Sequence, residues 1–501
     1  MFDNLLEIKG LGPLLRSPWP WRLIRLAGLV VLLAMTAYGW HHHAIPGVEV
    51  RDPLMYTNFA SYFFWVLWMM GVVFLALLMG RAWCTVCPLG WINGLISRIG
   101  LNRPLPSWLD NFVPVTLALI ALQLAVYFLA IHRFPDYTAA LLALMLLLAL
   151  GAGLIFRKRS FCTLFCPAGA VFGLYARVAP FQLRVRDGEV CSACESKNCV
   201  SGAPLHKRLT LGSAVLTWQG RRSDCPADLV LAGIKESATC SLCLHCVQNC
   251  DNDNIVLGRR PWLADLGRGG LRPSETLFFL VLLGMVTANF SKVYVDLREV
   301  IFWAPQQAAV LLGWASGGYY LLTALWVALV FPLLLLLPGY LVLLLGELQV
   351  ETLPAASSAP PAPAAAAPQR LGFWNTLGEL ALPLIPMVLA AHVVLAVVKL
   401  NAKGGYLPFV MADPSGVKSY LAINVMNTVA APGVLIPLDI LKWLALALLF
   451  GGYLLALAGA RRAAASLGGE KVKIYLLASM VPVTLVAAIY GATLYTWLFI
   501  R

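Results

Sequence analysis

Nine apolar runs, each long enough to cross the ~30 Å hydrocarbon core of a bilayer, leave this chain few ways to fold. They fall at about 23–42, 59–80, 112–132, 137–156, 274–295, 307–337, 376–400, 437–459 and 474–499. Over 501 positions, 60% are hydrophobic and only 12% charged, too few charges to cover a water-soluble body of this size. The net charge of +13 does not point to nucleic acid, because the basic residues flank apolar runs on alternate sides, as topology signals do. Lys9, Arg16, Arg22 and Arg25 precede the first run, Arg81, Arg98 and Arg103 follow the second, and Arg157, Lys158 and Arg159 follow the fourth. All three sets, and with them the N-terminus, are expected on the cytoplasmic side. Reading 307–346 as one long span keeps Arg461, Arg462, Lys471 and Lys473 on that side too.

Between the fourth and fifth runs lies a polar island with eight cysteines, Cys191 to Cys250. Its core is Cys240-x2-Cys243-x2-Cys246-x3-Cys250. Such spacing lets one short loop offer three sulfurs to one centre, while the fourth points away. A looser set comprises Cys191, Cys194 and Cys199, with Cys225 followed by Pro226. Zinc favours paired CxxC motifs that close a tetrahedron, and disulfide frameworks belong to small secreted domains. Neither accounts for the CxxCxxCxxxC run. That run resembles the one in bacterial two-cluster ferredoxins, which implies two [4Fe–4S] clusters. In those proteins the fourth cysteine of each run serves the other cluster. The resemblance therefore implies one centre held by Cys191, Cys194, Cys199 and Cys250, and a second by Cys240, Cys243, Cys246 and Cys225. Two features depart from it: residues 200–224 are inserted before Cys225, and Asp251 stands where proline usually follows the last cysteine.

Four further cysteines lie in an internal repeat. Arg81-Ala-Trp-Cys84-Thr-Val-Cys87-Pro88-Leu-Gly90 matches Arg159-Ser-Phe-Cys162-Thr-Leu-Phe-Cys166-Pro167-Ala-Gly169, and each copy follows a span. Proline favours the first helical position, so Cys87 and Cys166 are expected to cap helices, where the positive dipole end lowers a thiol pKa. Two matching pairs at one membrane boundary suggest a further metal or redox site formed by Cys84, Cys87, Cys162 and Cys166.

The Cys-Pro pairs followed by a two-cluster module resemble the NapH/MauN-type membrane ferredoxins and the membrane part of NosR, over about residues 20–300. That resemblance implies quinol-linked electron delivery to a periplasmic or membrane partner, with clusters on the cytoplasmic side. A related branch, the cytochrome-oxidase assembly factors, handles copper. The chain lacks the large flavin-binding domain of the nitrous-oxide branch, and residues 301–501 match neither pattern.

Elsewhere, His392 and Lys399 share one face of the seventh run, and ionisable groups inside membranes are functional candidates. His392 is a candidate quinone or proton site. His41, His42 and His43 diverge on a helix and read as an interfacial collar.

The expected fold is an all-α polytopic membrane protein of about nine transmembrane helices with a small α+β two-cluster ferredoxin-like insert. Its expected divisions are 1–159 (four spans and the repeat), 160–272 (insert), 273–350 (two spans), 351–370 (Pro/Ala-rich linker) and 371–501 (three spans). The expected function is electron exchange between the quinone pool and a partner redox protein in a hetero-oligomeric complex of the bacterial inner membrane, with possible quinol dehydrogenase activity. The alternatives are a copper-handling assembly factor and a redox-sensing scaffold subunit.

Overall fold

The computed structural model describes residues 4–500 except 212–213, 235, 268, 292–294, 315, 353–371 and 466–470. In chain order, the elements used below are α1 (Pro18–Gly39), α2 (Phe59–Val86), α3 (Pro88–Ile96), α4 (Val113–Phe128), α5 (Pro135–Ile155) and α6 (Pro167–Ala176). There follow β1 (Phe181–Val185), β2 (Pro204–Leu211), β3 (Ala214–Arg221), α7 (His245–Asn249) and β4 (Ile255–Arg259). The chain closes with α8 (Pro273–Ser291), α9 (Gly317–Gly346), α10 (Phe373–Ala412), α11 (Leu438–Ala465) and α12 (Val472–Ile500). The protein is an all-α polytopic membrane protein with only small sheets.

Eight of these helices are long and apolar enough to cross a membrane, among the described residues. The ninth expected span, 112–132, is realised as α4, whose 16 residues fall short of the ~20 needed. The 307–346 stretch resolves as a helix from Val295 to Leu311 followed by the single 30-residue span α9. Apart from its first two positions, the expected 351–370 linker lies outside the described residues.

Two compact units divide the chain. The first comprises 1–110, 121–265 and 399–435, and the second 111–120, 266–398 and 436–501. In the first unit, Trp65 Nε1 donates to Thr138 Oγ1 at 2.9 Å, and Asn93 Nδ2 donates to the Ala149 carbonyl at 2.9 Å. These bonds satisfy polar groups that lipid could not. The segment 399–435 closes the end of α1 and α2 remote from the cysteines: Asn58 Nδ2 donates to the Tyr38 and Ser415 carbonyls.

At the other end stands the insert. β1 pairs antiparallel with β4, from Phe181 opposite Arg259 to Val185 opposite Ile255. Leu183, Ile255 and Leu257 pack with Leu6, Leu231, Leu242, Leu244 and Val247 into one core. The N-terminal segment joins it: Asn4 bridges to Gly258, and Arg16 pairs with Asp253. The N-terminus and the insert thus share one side, as the charge pattern predicts. Within the inserted residues 200–224, β2 and β3 pair antiparallel, from Pro204 opposite Arg221 to Leu211 opposite Ala214. A hairpin ends where it begins, and the Cys225 amide accordingly bonds the Val200 carbonyl at 2.9 Å. The ends of the insert thus lie side by side.

In the second unit, α8 is largely buried and Thr287 Oγ1 shares a hydrogen bond of 2.9 Å with Tyr490 Oη of α12. Gly284 lets the backbone at Val327 pass so close that a Cβ would lie 1.7 Å from its carbonyl oxygen.

Candidate cluster-binding site

The eight island cysteines fall into two cavities. Cys191, Cys194, Cys199 and Cys250 line one, and Cys225, Cys240, Cys243 and Cys246 line the other. This is the grouping that the ferredoxin resemblance implies. The backbone explains how a run of four thiols can divide. Leu242 and Leu244 adopt φ of 51° and 60°, a conformation uncommon for leucine, so the loop curls around Cys240, Cys243 and Cys246. Both leucines are buried in the insert core, which holds the curl in place. Short α7 then carries the chain away, and Cys250 at its C-cap is extended and faces the other cavity.

Hydrogen bonds to sulfur finish the first cavity. The Asn254 backbone N–H donates to Cys250 Sγ at 3.4 Å, and its side-chain amide donates to Cys191 Sγ at 3.3 Å. Asp251, in the usual place of proline, accepts from Ser196 Oγ at 2.7 Å and Asn198 Nδ2 at 2.9 Å. It ties the Cys194–Cys199 loop to Cys250, so a side-chain clamp stands where a rigid ring was expected. In the second cavity the Leu229 amide donates to Cys225 Sγ at 3.4 Å. Burial pushes the Cys240 thiol up to about 12. Burial acts on Cys243 too, but the neighbouring charges of His245 and Arg159 outweigh it and bring that thiol down to about 6.

The four boundary cysteines are drawn together beside this second cavity. A Cβ on Gly90 would lie 3.4 Å from Cys162 Sγ, and one on Gly169 would lie 3.7 Å from Cys166 Sγ. The repeat's Cys-Pro-x-Gly pattern thus leaves room for sulfur at both copies. Arg159 Nη1 of the second copy donates to the Cys84 carbonyl of the first at 2.8 Å. Cys87 and Cys166 do occupy N-cap positions, of α3 and α6. The expected lowering of their thiol pKa is not found. Burial pushes both up, and pushes Cys162 up to about 12, because desolvation of a thiolate outweighs a helix end.

Three contacts that sequence reasoning missed join the two sets. Thr85 Oγ1 lies 3.1 Å from the Ser241 and 2.8 Å from the Leu242 carbonyl, and can donate to either. Arg81 Nη1 donates to the Ala238 carbonyl at 2.9 Å, and Lys158 Nζ to the Cys225 carbonyl at 3.2 Å. Their only signal in the sequence was proximity to the cysteines. Gly80, at φ 53°, makes the turn that delivers Cys84, and a Cβ there would lie 2.6 Å from Ala176 Cα.

All twelve cysteines are free thiols. Among the described residues, no three His, Cys, Asp or Glu side chains converge on a single metal ion. His392 lies on α10 in the second unit, half-buried, whereas all twelve cysteines belong to the first. His43 bonds Asp136 at 3.0 Å and stacks on Phe134, while His42 turns to the Trp40 carbonyl, so the three histidines diverge.

The fold and these sites define a polytopic membrane protein with clustered cysteines at one end of its helices. A 4Fe-4S binding domain family matches residues 62–106 and 138–186, which hold the two Cys-Pro repeats rather than the island. YccM of Escherichia coli (strain K12), named for electron transport, is 24% identical over 216 residues, 37% of this chain and 53% of that protein. Two uncharacterized proteins of Methanocaldococcus jannaschii are 22% identical over 205 residues and 29% identical over 139. These cover 37% and 25% of this chain, and 74% and 54% of the relatives. The chain thus spans about half the length of YccM and of one of the two archaeal proteins. No solved structure matches it. The family match supports an iron–sulfur cluster.

Proposed function

We propose that this chain is an electron-transfer subunit of the bacterial inner membrane. It exchanges electrons between the quinone pool and a partner redox protein, within a hetero-oligomeric complex and with its cysteines on the cytoplasmic side. The observation that carries the reading is the division of the island's eight thiols into two cavities of four. The donor sets fit [4Fe–4S] clusters. Such clusters supply one-electron chemistry when bound. The chain's part is to orient the thiolates, donate N–H groups to sulfur from Asn254 and Leu229, and exclude water around Cys240, Cys243 and Cys246.

A third site at Cys84, Cys87, Cys162 and Cys166 is supported by the family match, which falls on those residues. The Thr85 and Arg81 bonds to the Leu242 and Ala238 carbonyls support reading it and the second cavity as consecutive stations of one route. His392 remains the candidate for quinone or proton handling.

Anaerobic purification with iron and sulfide counting, followed by EPR, tests the reading. The expected result is at least two cubane signals that added quinol reduces in membranes. Fewer than two cubanes overturns the ligand sets. Clusters that quinol leaves oxidised favour the sensing scaffold. Loss of copper delivery with quinol oxidation intact, on replacing the four boundary cysteines, favours the assembly factor.

A further inference from the structure

A cavity of about 410 Å³ opens beside the second cysteine cavity, walled by Arg25, Arg98, Arg157, Lys158 and Arg159 against one carboxylate, Asp224. Asp224 is a poor counterion for them. It lies 3.8 Å from Arg98 and 3.7 Å from Lys158, and Lys158 is also paired with Asp228. Arg159 spends one N–H on the Cys84 carbonyl. Arg25 is 5% exposed, and its Nε donates to the Thr85 carbonyl at 2.7 Å. Its terminal nitrogens have no hydrogen-bond acceptor among the described residues. Arg157 makes no side-chain bond among them either, and its position is fixed: its amide bonds the Arg103 carbonyl at 2.8 Å, within a short pairing of 101–103 against 154–157. A buried guanidinium left with free donors, in a concentration of positive charge, calls for an anion from outside the chain.

The lining changes character along one wall. Trp91 and Leu95 of α3 face the cavity, and beyond Arg98 the chain exposes Ile99 (78%) and Leu101 (65%). The charged half therefore sits where spans α1 and α5 meet the boundary, with an apolar strip running outward from it. We propose that this cavity binds a phosphate-bearing anion, supplied in the membrane by the headgroup of an anionic phospholipid whose acyl chains lie along Leu95, Ile99 and Leu101. Basic pockets between transmembrane helices take such headgroups. Charge compensation for bound clusters explains Arg25 and Arg159, whose charges act on Cys243. It does not explain Arg98 and Arg157, which are exposed on the far side.

Native mass spectrometry of the intact cluster-loaded protein tests this. The protein is released from nanodiscs of phosphatidylcholine with or without phosphatidylglycerol. The wild type is expected to retain phosphatidylglycerol selectively. R98Q/R157Q should weaken retention by about twenty-five-fold, roughly fivefold per cation. Iron content checks folding, and R157Q alone, at an exposed and unbonded side chain, serves if the double variant loses iron. Equal retention of the two lipids, or unchanged retention in the variants, overturns the proposal. Displacement of lipid by millimolar inorganic phosphate supports the anion site but assigns it to free phosphate. Failure of phosphate to compete supports the lipid.

Discussion

Cys240, Cys243 and Cys246 are each less than a tenth exposed, on a loop held by Thr85, whereas Cys191 and Cys199 lie on two short helices without a buried residue. One module thus builds a dry site against the membrane boundary and a wet one at its outer edge. Burial, hydrogen bonds to sulfur and solvent access set cluster potentials, so two sites of like ligand chemistry acquire different properties from their surroundings. Under the proposed function, the dry site would pass electrons to the boundary cysteines and the wet one would exchange them with the partner protein.

Substitution of a ligand gives the largest effect. Cys243→Ser should remove the dry site and about four irons per chain, with the wet site's EPR signal intact. Cys250→Ser is the sharper variant, because that residue follows the dry-site run in sequence but lines the wet cavity. It should abolish the wet signal alone, and loss of the dry signal instead would break the comparison.

Next comes Gly80→Ala. Its Cβ would meet Ala176 backbone at a positive φ, a cost of roughly 2–4 kcal/mol that should lower Tm and iron occupancy at the boundary and dry sites before the wet one. Thr85→Val removes the hydroxyl bond and leaves buried carbonyls unpaired, worth ~1–3 kcal/mol. Its readout is faster oxygen bleaching of the dry cluster in particular. Asp251→Ala should cost ~1 kcal/mol locally and speed bleaching only of the wet cluster. Equal sensitivity of both clusters in these two variants would show that the sites are not independent.

Much of this was legible beforehand. Apolar runs identify spans because lipid leaves a backbone no alternative to the helix. The ferredoxin resemblance implies the same division of the cysteines as the one in which they line the two cavities. The thiol pKa shifts in the boundary set were misjudged. A helix end is visible in Cys87-Pro88 and Cys166-Pro167, but the burial that outweighs it depends on what packs above.

By itself, then, the sequence determined where most spans lie and the common side of N-terminus and insert. All of these depend on local periodicity or on charge placed next to an apolar run. Tertiary structure alone decided that the 200–224 insert closes on itself, that Asp251 clamps the Cys194–Cys199 loop, that Thr85 and Arg81 bind the boundary repeat to the Cys240 loop, and that cations from three stretches of the chain share one cavity. Each is a contact between residues distant along the chain, set by how the helices pack, and no spacing rule reports it.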